Sequence, residues 1–176
     1  MYNPIYKEND LILGTGKPII VTGWTDRRQV AKHFSKDEYA AIGNLFDPDI
    51  GLDYLIANVL ANPDVDSIQI YCDFRNELSR KSVTPLSYLF FKGYSKTPDY
   101  YLINGGGGGR ISNIFTEEDI DTFRQISFQW SQSIRQLKDN LDYANLFTSN
   151  RIARIVELPV TVKDILPPGK LYNHCL

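Results

Sequence analysis

The sequence predicts an α/β protein: a three-layer sandwich with helices on both faces of a mostly parallel sheet. Two observations carry this reading. Apolar runs of strand type, Pro18–Trp24 and Val65–Cys72, are separated by helical stretches rather than by hairpin turns. The stretch Gly43–Asp73 also reads in one pass as a strand end, a Pro/Asp/Gly turn, a helix, an Asn-Pro stop and a second strand. Strands joined through helices in this way lie parallel, because each crossover returns the chain to the same end of the sheet.

The elements follow in order. Residues 1–17 read as an N-terminal arm ending in the turn "GTGKP", and 18–162 as one α/β domain. "PIIVTGW" (Pro18–Trp24), bounded by Pro and Gly, is the first core strand. "TDRRQVAKHF" (Thr25–Phe34) suits a short helix capped by Thr25 or Asp26. "EYAAIGNLF" (Glu38–Phe46) fits helix or strand by composition, and its run into "DPDIG" favours a strand plus turn. Leu52, Leu55, Ile56, Val59 and Leu60 then fall on one helical face. Asn62-Pro63 ends that helix, and Val65–Cys72 alternates as a strand should.

Beyond the second strand, Val83–Tyr94 reads as a helix and Ser95–Phe115 as a loop holding the five glycines Gly105–Gly109. Thr116–Leu137 reads as one long helix, with Thr116 as N-cap, acidic residues in the first turn, and an apolar stripe that Ser127 interrupts. Ala153–Val162 reads as a late strand and 163–176 as an extended tail.

Composition narrows the function classes. A formal charge of −2 gives no general attraction to nucleic acid. No stretch approaches the roughly 20 apolar residues of a membrane span. The opening "MYNPIYKEND" lacks the apolar centre of a secretion signal, and the two cysteines, Cys72 and Cys175, form no disulfide framework or metal pair. A cytoplasmic protein is expected. His33 and His174 have no partner at metal-ligand or triad spacing, and no cofactor is specified.

Three motifs bear on chemistry. "GTGKP" (Gly14–Pro18) lacks the spacing and the Ser/Thr of a phosphate loop, and a strand follows it, so it reads as a turn. "NGGGGGR" (Asn104–Arg110) offers close backbone approach at Gly105, Gly106 and Gly107 and a fork of donors at Arg110; it also suits a plain connector. "CDFRNELSR" (Cys72–Arg80) sets Asp73, Arg75, Asn76, Glu77 and Arg80 just past a strand, where ligands of open α/β sheets bind.

The run "AAIGNLFDPDIGLDYLIANVLANPDVDSIQIYC" resembles the A subunit of tetrahydromethanopterin S-methyltransferase, a corrinoid carrier of Rossmann-like fold. The resemblance rests on Gly51-Leu52, on "NVLANP" (Asn58–Pro63), on the strand-ending Cys72 and, further on, on "FTEEDIDTFRQIS". It implies a Rossmann-like scaffold with a pocket at the strand ends, lined by Asn44, Asp47, Asp73 and Arg75 and closed over by Gly105–Arg110. In that family the Cys precedes a Gly-rich turn carrying the cobalt-ligating His. Here "CDFRNELSRKS" follows with no histidine, so corrinoid binding is not carried over. Related domains accompany archaeal-type thymidylate synthases, which implies nucleotide or one-carbon metabolism and a partner of that type.

Three functions are therefore expected in competition. One is an accessory domain binding an anionic small molecule such as a nucleotide. Another is a nucleotide-modifying or one-carbon transferase using Asp73, Glu77 or Cys72. The last is a homo-oligomeric assembly module using the terminal arms and "PDYYLI" (Pro98–Ile103).

Overall fold

The computed structural model describes residues 1–73, 75–146 and 150–159. Its centre is a five-stranded sheet of β1 (Leu11–Leu13), β2 (Ile19–Val21), β3 (Ala41–Gly43), β4 (Ser67–Tyr71) and β8 (Ser127–Ser131), in the order β1-β3-β2-β4-β8. Every pairing is parallel except that of edge strand β1 with β3. The N-terminal arm thus supplies a strand as well as a covering.

Alternation along the strands splits the core into two halves. Ile20 and Ile42 point to one face, under Val30 of α1 (Arg27–Ala31) and Leu137 and Leu141 of α5 (Ile134–Ala144). Ile19, Val21, Ile68 and Ile70 point to the other. There they meet α2 (Pro48–Ala61), α3 (Glu77–Lys92) and α4 (Glu117–Arg124). The result is the three-layer α/β sandwich that the sequence predicts. A small antiparallel sheet of β5 (Tyr94–Lys96), β6 (Tyr100–Ile103) and β7 (Arg110–Ser112) lies over α2 and α3. Covered on both sides, α2 buries Leu52, Ile56, Ala57, Asn58, Val59 and Leu60.

Side-chain caps fix the helix starts: Asp26 for α1, Asp47 for α2, Asn76 for α3 and Ser133 for α5. Thr116 caps α4 reciprocally with Asp119.

Several expectations need correction. Thr116–Leu137 is not one helix: α4 stops at Arg124, β8 follows, and α5 begins at Ile134. The interruption at Ser127 marks the change, because Ser-Phe-Gln-Trp-Ser has a period of two and fills the open side of β4. Residues 95–115 hold β5 to β7 rather than an unstructured loop, and α3 starts six residues before Val83, once Asn76 has capped it. No strand forms over 153–159; residues 160–162 and the 163–176 tail lie outside the described residues. One backbone hydrogen bond and the Tyr6 hydroxyl fix that segment instead. Arg154 N–H donates to Leu60 O, while the Tyr6 hydroxyl donates to Val156 O (3.1 Å) and accepts from Leu158 N–H (2.7 Å).

Candidate functional site

In the strand order β3-β2-β4-β8 the connections diverge after β2 and β4, so the carboxyl ends of these two strands mark the usual ligand crevice. Here it is filled. Gly23 has φ +48°, and a Cβ there would lie 3.0 Å from Ser79 O and 3.1 Å from Ser82 Oγ. Trp24 N–H donates to Ser79 Oγ at 2.9 Å, so the β2–α1 loop sits directly on the first turns of α3.

The open space lies one strand over. A cavity of about 580 Å³ extends from the carboxyl end of β3 to the first turns of α2 and is covered by the N-terminal arm and Leu158–Pro159. That volume is in the range of small-molecule pockets. Tyr2, Tyr6, Phe46 and Tyr54 give it aromatic walls; the cations Lys7 and Arg27, the carboxylates Glu8, Asp10 and Asp47, and the amide of Asn44 give it polar ones. The Tyr6 and Tyr54 rings lie 5.7 Å apart at 46°, with the Lys7 ammonium 4.9 Å from the Tyr54 ring centre.

Asn44 organises the polar end. Its Nδ2 lies within donating distance of Thr22 Oγ1 (2.8 Å), Gly23 O (2.8 Å) and Thr25 O (2.6 Å), tying the β2–α1 loop to β3. Its Oδ1 accepts from Arg27 Nη1 at 3.1 Å and holds that guanidinium at the cavity. Asp47 also lines the cavity, with Oδ1 accepting from Asp49 N–H as the α2 cap (3.0 Å).

The cover is fixed by two asparagines, Asn58 on the buried side of α2 and Asn62 at its C-cap. Asn58 Oδ1 accepts from the N–H groups of Ile5 and Tyr6, both at 2.9 Å, and its Nδ2 donates to Tyr6 O at 2.9 Å. Asn62 Oδ1 accepts from Asn3 N–H at 2.6 Å, and its Nδ2 donates to Asn3 O at 3.0 Å. These are the two asparagines of "NVLANP": two amides four residues apart, one in the last turn of α2 and one at its C-cap, reproduce the backbone pairing of an added strand. Their spacing on an otherwise apolar face is a sequence signal for the arm contact that sequence reasoning missed, as it missed Arg27, Tyr6 and Tyr54.

The remaining predicted residues lie in two other places. In the β4–α3 turn, Arg75 forms a two-pronged pair with Asp73 (3.0 and 3.1 Å), and this pairing holds the Asp73 carboxyl below its ordinary range. Asn76 caps α3 by accepting from Ser79 N–H at 3.1 Å. Glu77 pairs with Lys81 at 2.7 Å, Arg80 is exposed, and none of these five lines the cavity.

Gly105 and Gly107 pack on the Tyr88 ring of α3, while a Cβ on Gly106 would meet nothing within 4 Å. Arg110 pairs with Asp49 at 3.2 Å and lies over the Tyr100 ring, 5.3 Å from its centre. The glycine run is therefore a fitted turn between β6 and β7. "GTGKP" is a turn as well: the N–H groups of Gly14, Thr15 and Gly16 donate to the carbonyls of Ala40, Lys36 and Tyr39.

Cys72 is fully buried, and burial first, with Asp73 beside it, pushes its thiol up to about 11. It is protonated at neutral pH, the opposite of an activated nucleophile. No described residue at the cavity could supply the imidazole that ligates cobalt in the corrinoid carriers. No histidine is among the described residues lining the cavity, His33 is exposed beyond α1, and His174 lies outside the described residues. Among the described residues no three of His, Cys, Asp and Glu are grouped to hold a metal ion, and no helix is long and apolar enough to cross a membrane.

Fold and site together define an α/β domain with a ligand-sized cavity beside its switch point. Comparison of the chain with protein-family models and with curated proteins returns no match.

Proposed function

We propose that the chain is a binding domain for an anionic small molecule of nucleotide size, held in the cavity between β3, α2 and the N-terminal arm. The observation that carries this reading is the coupling of Arg27 to Asn44 at one end of a 580 Å³ aromatic-walled cavity. A planar ring between Tyr6, Tyr54 and Phe46 and an anionic group on Arg27 would use both halves. The resemblance to the corrinoid-carrying methyltransferase family belongs to the same reading, as a scaffold that retains a pocket without the corrinoid. A role accessory to nucleotide or one-carbon metabolism goes with it. A transferase using Cys72 has less support, since that thiol is buried and protonated.

The test is a thermal-shift screen of the full chain against mononucleotides, folates, corrinoids and simple anions. Binding to the folded state raises the melting temperature by mass action. A nucleotide or folate shift that disappears in Arg27→Ala and persists in Arg75→Ala supports the proposal. A shift lost in Arg75→Ala but kept in Arg27→Ala would move the site to the β4–α3 turn, and no shift with any compound would remove the ligand reading.

A further inference from the structure

We propose that β8 is the interface of a two-fold symmetric dimer, in which the central sheets of two copies join edge to edge through antiparallel β8 strands. Among the described residues β8 pairs with β4 alone and forms one edge of the sheet. Ser127 N–H donates to Asp66 O, and Ser131 O accepts from Cys72 N–H. Residues 127, 129 and 131 thus turn their backbone toward β4, while the backbone of Phe128 and Trp130 faces the outer edge.

Exposed sheet edges in monomers are ordinarily blunted by short strands, charges or proline. This one is five residues long, and the sequence carries no charged residue or proline from Gln125 to Ile134. The other edge, β1, is three residues long and flanked by Lys7, Glu8 and Asp10.

The identity of the occupant follows from the strand itself. Ser127-Phe128-Gln129-Trp130-Ser131 has the same chemical pattern read from either end. Antiparallel pairing about Gln129 sets Ser127 opposite Ser131, Phe128 opposite Trp130, and Gln129 opposite Gln129 of the second copy. Such a contact is isologous, each residue meeting its complement twice. Phe128 and Trp130 then form hydrogen-bonded pairs whose rings stack across the strands. They are on the sheet face where Phe91, 70% exposed, already packs edge-on against Phe128 at 5.6 Å.

On the opposite face, Gln129 Oε1 accepts from the buried Gln69 at 3.0 Å, so the central amide of the contact is oriented before the copies meet. Gln136 covers part of the edge in the single chain: its Oε1 accepts from Gln132 N–H at 2.9 Å and its Nε2 donates to Trp130 O at 3.3 Å, a side-chain contact that gives way to Phe128 N–H of the second copy when the strands pair. Two copies of an uncharged strand meet here without like-charge repulsion.

The experiment is sedimentation of the full chain over a range of concentrations, with wild type, Phe91→Glu and, in a Cys175→Ser background, Gln129→Cys. Wild type should approach about twice the 20.1 kDa chain mass, and Phe91→Glu should weaken self-association at least tenfold with unchanged far-UV dichroism. Under mild oxidation Gln129→Cys should give a covalent dimer, whereas the exposed control Lys32→Cys in the same background should not. Amide exchange of the unmodified chain supplies a readout free of folding effects, with Phe128 and Trp130 protected more at high concentration than at low. A monomer at every concentration, or a dimer insensitive to Phe91→Glu that fails to cross-link through Gln129→Cys, overturns the proposal. So does a monomer that instead takes a strand from a different protein along β8.

Discussion

The Arg27 guanidinium donates to the Asn44 carboxamide oxygen at 3.1 Å, and the nitrogen of the same carboxamide ties down the loop that carries Arg27. One side chain therefore both builds the cavity's polar end and aims its cation. The two residues should separate experimentally. Asn44→Ala removes the common partner of two carbonyls and a hydroxyl, and its expected cost is about 1–3 kcal/mol in urea unfolding together with loss of any ligand shift. Arg27→Ala should cost under about 1.5 kcal/mol and still abolish the ligand shift. If Arg27→Ala destabilised as much as Asn44→Ala, the guanidinium would be a structural strut rather than a binding group.

Cys72 gives a chemical test of what the strand end does. With the thiol buried and pushed up to about 11, native protein should react with iodoacetamide at Cys72 only after unfolding. Mass spectrometry of tryptic peptides distinguishes this from modification at Cys175. Rapid labelling of Cys72 in the native state would restore it as a candidate nucleophile.

The alternation of strands and helices was legible in the sequence because α2 and β4 are complete local patterns: a cap, a period and a stop. The β8 strand was not, because five residues between two helices carry too little period-two signal against the helical spacing of Ile120, Phe123, Ile134 and Leu137. What makes it a strand is the vacant side of β4, a tertiary fact. The site followed the same rule. Asn44 and Asp47 come from the family resemblance, as lining of a pocket at the strand ends, on the same footing as Asp73 and Arg75; of the four only Asn44 and Asp47 line the cavity. Which strand end is open depends on where Gly23 and Ser79 touch, and no local pattern encodes that. The missed arm contact was encoded, in Asn58 and Asn62, but only as two polar residues on an apolar helix face.

The glycine run should behave as a fitted turn rather than a tether. Gly109 has φ +95°, and a Cβ there would lie 2.6 Å from Pro85 Cβ; Gly106 has φ +76° with nothing within 4 Å. Gly106→Ala meets only the backbone penalty of about 1–2 kcal/mol. Gly109→Ala adds overpacking against α3, for a total of about 2–4 kcal/mol. Chemical denaturation of the two variants measures the difference. Equal, small losses would mean that the loop does not rest on Pro85.

Asp53 should make the chain less stable as pH rises through the weakly acidic range. It lies on α2 under β7, where burial first and the nearby Asp49 second push its carboxyl up to about 6 against the opposing hydrogen bond from Ser112 N–H (3.1 Å). Between about pH 4 and 6 the folded chain holds a proton that the unfolded chain has released, so stability attributable to this group falls across that interval and stays low above it. The shift corresponds to about 1–3 kcal/mol at neutral pH. Asp53→Asn keeps an acceptor for Ser112 N–H and removes the charge, so it should stabilise the protein by that amount at pH 7 and by little at pH 4. Urea midpoints of both proteins measured from pH 4 to 8 give the difference directly. A gain from Asp53→Asn that did not change with pH would show that the side chain stays ionised on folding without penalty, and that the contact with β7 is open to water.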